Sequence, residues 1–257
     1  QANVNINNVT GSNFNPNAYY VWDPNMSTRG AYVTVPLPGG TPVGTSDANQ
    51  FVQPGQSFFV RTVNDNTANL TFSETAKDVA ALPTDVFSDN NQTSINLLLY
   101  TDQALNNNDS ESDALGINFS PNANNGVDQM DAGKMGNPDE NLARLNNGEY
   151  ISIENRAMPV DGESLELYTV GYTGSDYTFV ANVSNLPDDV DAYLVDNNTG
   201  DQTLLSDGAN QISFTVDASI PGSIAADRFS IDFEIETFGN EEIDQDQLTI
   251  YPNPVTD

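Results

Sequence analysis

Phe229-Ser230-Ile231-Asp232-Phe233-Glu234-Ile235-Glu236 decides the fold class. Phe229, Ile231, Phe233 and Ile235 fall on one face of an extended chain, and Ser230, Asp232, Glu234 and Glu236 on the other. That period of two belongs to a strand half buried in an antiparallel sheet. The same period recurs at 31–35, 57–63, 70–72, 150–154, 165–170, 177–183, 192–196 and 211–216. Ile95-Asn96-Leu97-Leu98-Leu99-Tyr100 is apolar on both sides after Asn96, which predicts a central strand. Between these runs lie Pro38-Gly39-Gly40, Asn147-Gly148, Asp161-Gly162 and Asp207-Gly208, all turn chemistry.

Short strands with turns between them predict an all-β chain of tandem antiparallel β-sandwiches, jelly-roll-like or immunoglobulin-like. We place a β-sandwich with acidic loops at 1–155, an immunoglobulin-like sandwich at 156–238, and an acidic linker with a terminal segment at 239–257. Few short helices are expected. Asn137-Pro138-Asp139-Glu140, followed by Leu142, Leu145 and Gly148, carries helix-start signals for one or two turns. The stretch 73–82 fits either a helical turn or a loop.

The chain holds 37 acidic against 7 basic residues, a net charge of −30, with Lys77 and Lys134 its two lysines. Phosphate binding needs clustered Lys and Arg, so nucleic acid and anionic membrane surfaces are poor partners. No apolar run reaches the roughly 18 residues of a membrane span, so no membrane insertion is expected. Cysteine and histidine are both absent. Disulfides, thiolate and imidazole metal sites, cysteine nucleophiles and Ser-His-Asp triads are therefore excluded. A carboxylate pair for glycoside hydrolysis carries little meaning where acids are this abundant, and the chain reads as non-catalytic.

The surplus carboxylate suits hard cations. Asp109, Glu111 and Asp113 alternate along an acidic stretch, and Asp128 and Asp131 stand in a second one; together they form a candidate calcium site. The competing reading is a pair of solvated loop tips. Asp131 and Lys134 flank Gly133 and read as a structural pair. Asp196-Asn197-Asn198-Thr199-Gly200-Asp201 reads as a hairpin tip rather than a calcium loop. Tyr19, Tyr20 and Trp22 could present aromatic faces to sugars, with Tyr20 and Trp22 the carbohydrate candidates; core packing is the alternative. Phe58 and Phe59 point to opposite faces, and at least one belongs to the core.

The chain closes on Leu248-Thr249-Ile250-Tyr251-Pro252-Asn253-Pro254-Val255-Thr256-Asp257. Two prolines around one asparagine stiffen an extended arm after a short apolar strand. Ile250, Tyr251, Pro252, Asn253 and Pro254 resemble the opening of the type A C-terminal sorting domain of the Bacteroidetes type IX secretion system. That domain continues for tens of residues beyond this point, so the resemblance implies a chain cut or trimmed near the start of its signal. A second resemblance spans most of the chain. Tyr20-Val21-Trp22-Asp23-Pro24, Val52-Gln53-Pro54-Gly55-Gln56-Ser57-Phe58-Phe59-Val60, Leu70-Thr71-Phe72, Asp131-Ala132-Gly133-Lys134 and Arg228-Phe229 through Phe233 are similar to a region upstream of that sorting domain in large Bacteroidetes surface proteins. Ser57 stands where glycine is usual there. Strands completing the first unit are expected upstream of Gln1. The resemblances imply a cell-surface or extracellular location, the type IX machinery as a partner, and a stalk or adhesive role toward a surface polysaccharide or protein. The alternative is a carbohydrate-binding module attached to a secreted polysaccharide-degrading enzyme. No cofactor is implied beyond calcium.

Overall fold

The computed structural model describes residues 2–78 and 92–235. Short strands come first: β1 (Asn3–Asn5), β2 (Thr10–Ser12), β3 (Ala18–Asp23), β4 (Ala31–Pro36), β5 (Phe51–Val52), β6 (Asn69–Thr71) and β7 (Lys77–Asp78). Longer ones follow: β8 (Thr93–Thr101), β9 (Asp113–Phe119), β11 (Asn141–Asn146) and β12 (Glu149–Arg156), with the two-residue β10 (Ala132–Gly133) between. The last are β13 (Ser164–Val170), β14 (Asp176–Ser184), β15 (Val190–Asp196), β16 (Asp201–Leu204), β17 (Gly208–Thr215) and β18 (Phe229–Ile235). The fold is all-β, with one α-helix, α1 (Asp102–Asn107), among the described residues.

One large sheet runs β16-β15-β18-β13-β11-β12-β9-β8-β14-β17, with β10 attached to β12. All its pairings are antiparallel except β12 with β9. The sheet curls so that its two halves share one core. Phe214 of β17 lies 4.8 Å from Phe229 of β18, and Phe119 of β9 lies 5.8 Å from Phe233. Phe229, Ile231 and Phe233 are buried together, as their alternation requires. Each such side chain stabilises by about 1.5–3 kcal/mol relative to exposure.

The expected boundary at 156 is not a break in the fold. β12 runs through it to Arg156, and β13 pairs with β11. Leu97, Leu99 and Ile117 pack in the same cluster as Leu165, Leu167 and Ile231. The reason is topological: hairpin turns mark where the chain reverses, and they occur inside a sheet as readily as between sheets.

The first 78 residues form three small sheets, β5-β1-β7, β2-β6 and β3-β4, around a core containing Tyr19, Val21, Val33, Val35 and Val52. This layer sits on the outer face of the large sheet. Ala18, Ala132 and Ile153, with Val43 against them, make the apolar part of the contact. Amides fasten its rim: Asn15 Nδ2 donates to the Asp131 carbonyl at 3.1 Å, and the Tyr32 N–H donates to Asn137 Oδ1 at 2.8 Å.

Local structure departs from expectation in three places. Residues 141–146 form β11, not a helix, because Asn147 and Gly148 take φ of 51° and 83° and turn the chain into β12. Helix α1 was not expected; Thr101 caps it, its side chain accepting from the Ala104 N–H, and Asn108 ends it in the left-handed region. The stretch 57–63 makes isolated bridges rather than a strand, including reciprocal bonds between Phe59 and Tyr20. Within 73–82, Glu74–Ala76 is a 3-10 turn; residues 79–82 lie outside the described residues. Positions 250–254 of the sorting segment lie outside them as well.

Candidate functional site

The five candidate calcium ligands do not converge. Asp109 is exposed, whereas Glu111 is fully buried and accepts from the Thr45 N–H and hydroxyl, both at 2.7 Å. Burial, with the Glu111 charge beside it, pushes the Tyr100 hydroxyl up to about 12. Both Asp113 oxygens take Lys134 Nζ at 2.6 Å, and Oδ2 also takes the Leu142 N–H. Asp128 accepts from the Met130 N–H and from Asn124. Asp131 accepts from the N–H groups of Asp128 and Asn155. Burial raises its pKa, and those two bonds oppose the rise. Apart from the exposed Asp109, each of these carboxylates thus completes a local polar contact, and no three acidic side chains gather around one point among the described residues. Lys134 does hold a specific structural partner, but it is Asp113 rather than Asp131.

Tyr20 and Trp22 do not form a platform. Tyr20 is buried against the large sheet, its hydroxyl without a partner among the described residues, and burial raises its pKa while Arg61 draws it down. Trp22 is 37% exposed, but Tyr32 meets it edge-on at 4.9 Å and 77°, and Phe59 meets Tyr32 at 84°. Rings set edge to face share no plane on which a sugar could lie. Phe58 turns inward to Tyr19 while Phe59 stays exposed, as their adjacency requires. Nearby, Arg61 lies flat over Gly133, where any Cβ would displace it, and pairs with Glu149 at 2.7 Å.

The charged groups inside the large sheet are also committed. Arg144 and Arg156 bracket Glu154, and Arg156 reaches Glu163. Arg228 grips Asp196 through two nitrogens, donates to the carbonyls of Thr215 and Ser223, and stacks over Phe214 and Phe229. Burial works against the Asp196 carboxylate, yet Arg228 and the turn amides hold it below the ordinary range. The Asp196–Asp201 segment is the hairpin tip joining β15 to β16.

A trough of about 920 Å³ lies between the outer face of the large sheet and the 36–45 segment. Its floor is two rows of residues set by strand register. Asn182, Asn96, Gly116 and Ile153 form one row across β14, β8, β9 and β12. Ser184, Ser94, Asn118 and Asn155 form the next. Pro36, Leu37, Pro38, Pro42 and Val43 line the opposing wall. Gly116 is glycine because a Cβ there would meet Val43 at 2.7 Å. Asn118 donates to Asn155, and Asn155 donates to the Met130 carbonyl. The half-buried amides of Asn96 and Asn182 make no side-chain hydrogen bond among the described residues. In a chain of net charge −30, none of the described residues lining this trough is charged.

Sequence alone does not single out these amides as a site. The signal was present as polar residues at the outward positions of strands whose inward positions are Ile95, Leu97, Phe179, Ala181 and Val183. What sequence alone lacks is the register that sets Asn96 beside Asn182. No family model matches the chain, and no curated protein or solved structure matches it either.

Proposed function

We propose that the chain is a non-catalytic adhesive module of a secreted or cell-surface protein. Its export would run through a type IX secretion machinery that reads Ile250, Tyr251, Pro252, Asn253 and Pro254. The observation that carries the adhesive reading is the trough. Proton transfer needs a titratable group within hydrogen-bond reach of the reacting atom. This cleft offers amides, hydroxyls and aliphatic carbon instead, a surface suited to holding a molecule rather than transforming it. Of the buried carboxylates, Asp113 and Glu154 are held by Lys134, Arg144 and Arg156, while Glu111, Asp131 and Glu140 accept from hydroxyl and backbone N–H groups.

The export reading rests on the terminal motif and has its own test. The protein, expressed from its full reading frame with a fluorescent reporter in a type IX-competent cell, is expected in the medium or at the cell surface. A version ending at Gly239 is expected to stay inside. Equal secretion of the two overturns the assignment.

A further inference from the structure

We infer that the trough binds a neutral polysaccharide chain, with Asn96 and Asn182 supplying the central hydrogen bonds. This rests on the reading of the chain as a binding module and names the ligand of that site. A side-chain amide carries two donors and two acceptors, and a sugar hydroxyl is both donor and acceptor. Adjacent amides therefore match a row of hydroxyls without needing charge on either side. Neighbouring strands lie about 4.8 Å apart, so the register delivers polar groups at a regular interval along the floor. The wall of Pro38, Pro42 and Val43 offers aliphatic carbon to the C–H faces of sugar rings.

Charge argues for the same class. An acidic polysaccharide would meet a protein of net charge −30 with no cationic side chain among the described residues of the cleft to receive it. A peptide is the less suitable occupant. Extended peptides gain affinity by pairing with a free sheet edge, and the backbones of β14, β8, β9 and β12 are already paired to one another beneath the trough.

Affinity electrophoresis tests the inference on the intact protein. Gels would carry neutral polysaccharides (a glucan, a mannan, a xylan and a galactan) or acidic ones (alginate and pectate). Retardation is expected on at least one neutral gel and on neither acidic gel. It should be the same in about 50 and 500 mM NaCl, because no ion pair is involved. Asn96→Ala and Asn182→Ala are each expected to weaken binding about threefold to tenfold. Their melting temperatures should stay at the parent value, which separates lost contacts from lost folding. No retardation on any neutral gel, or undiminished retardation of the Asn96→Ala/Asn182→Ala double variant, overturns the inference. Binding only of extended peptides overturns it too, in favour of a protein ligand. Secretion with no polysaccharide binding would remove the ligand and leave the export reading intact. Binding without secretion would do the reverse.

Discussion

Lys134 shows at the scale of one residue how a strongly acidic chain places a scarce cation. Its ammonium is buried against Asp113, and the carboxylate also receives the N–H groups of Ala114 and Leu142. Removing one member of a buried pair strands the other's charge away from water. Lys134→Met is therefore expected to cost about 3–5 kcal/mol in urea denaturation. Adding Asp113→Asn should recover more than half of that, since the asparagine oxygen can still accept from Leu142 while the stranded charge is gone. Additive losses in this double-mutant cycle would show that the two groups do not act as a pair. The sequence pointed to a fixed partner for this lysine, but proximity along the chain suggested Asp131. Register, which sequence spacing does not reveal, brings Asp113 instead. The carbohydrate candidates went astray for a related reason. Tyr20 and Trp22 share one face of β3, and the large sheet covers the first and leaves the second half open.

At the scale of the element, turns decided what propensity left open. The Asn-Pro-Asp-Glu start before β11 carries real helix chemistry, yet Asn147-Gly148 demands two left-handed residues and a hairpin. Gly148→Ala is expected to cost about 1–2 kcal/mol, because its Cβ would strain the positive φ even though no atom crowds it. In a domain of this size that lowers the melting temperature by a few degrees. Gly39→Ala is the control: its φ is not positive and nothing lies within 4 Å of its Cβ, so it should be close to neutral. Equal effects of the two substitutions would remove turn geometry as the cause. Strands with clean alternation, such as β13, β14 and β18, were legible for the same physical reason that they are stable: one face is buried. β9 was not, because its opening Asp113 is a buried acid in a run that reads as a polar loop.

For the whole molecule, the sequence showed the all-β class but not how the strands are shared. Strands on both sides of residue 156 build one curled sheet, so cutting there divides a core rather than a linker. A fragment of residues 1–155 would expose Leu97, Leu99 and Ile117 and is expected to aggregate. A fragment of 92–238 keeps the large sheet and is expected to unfold cooperatively, at a lower temperature than the intact chain because it lacks the layer above Ile153. A soluble, cooperatively melting 1–155 fragment, followed by circular dichroism, would overturn this account. The place of β18 has one more consequence, which concerns time. It is the last described strand in the chain, yet it lies between β13 and β15, well inside the sheet. A polypeptide emerging from its N-terminus cannot close its core until that final strand arrives. Pairings such as Ser164 with Asp232 also span long loops, which slows folding. The order of synthesis thus makes completion of the fold coincide with the appearance of the terminal motif, only fifteen positions beyond Ile235 in the chain.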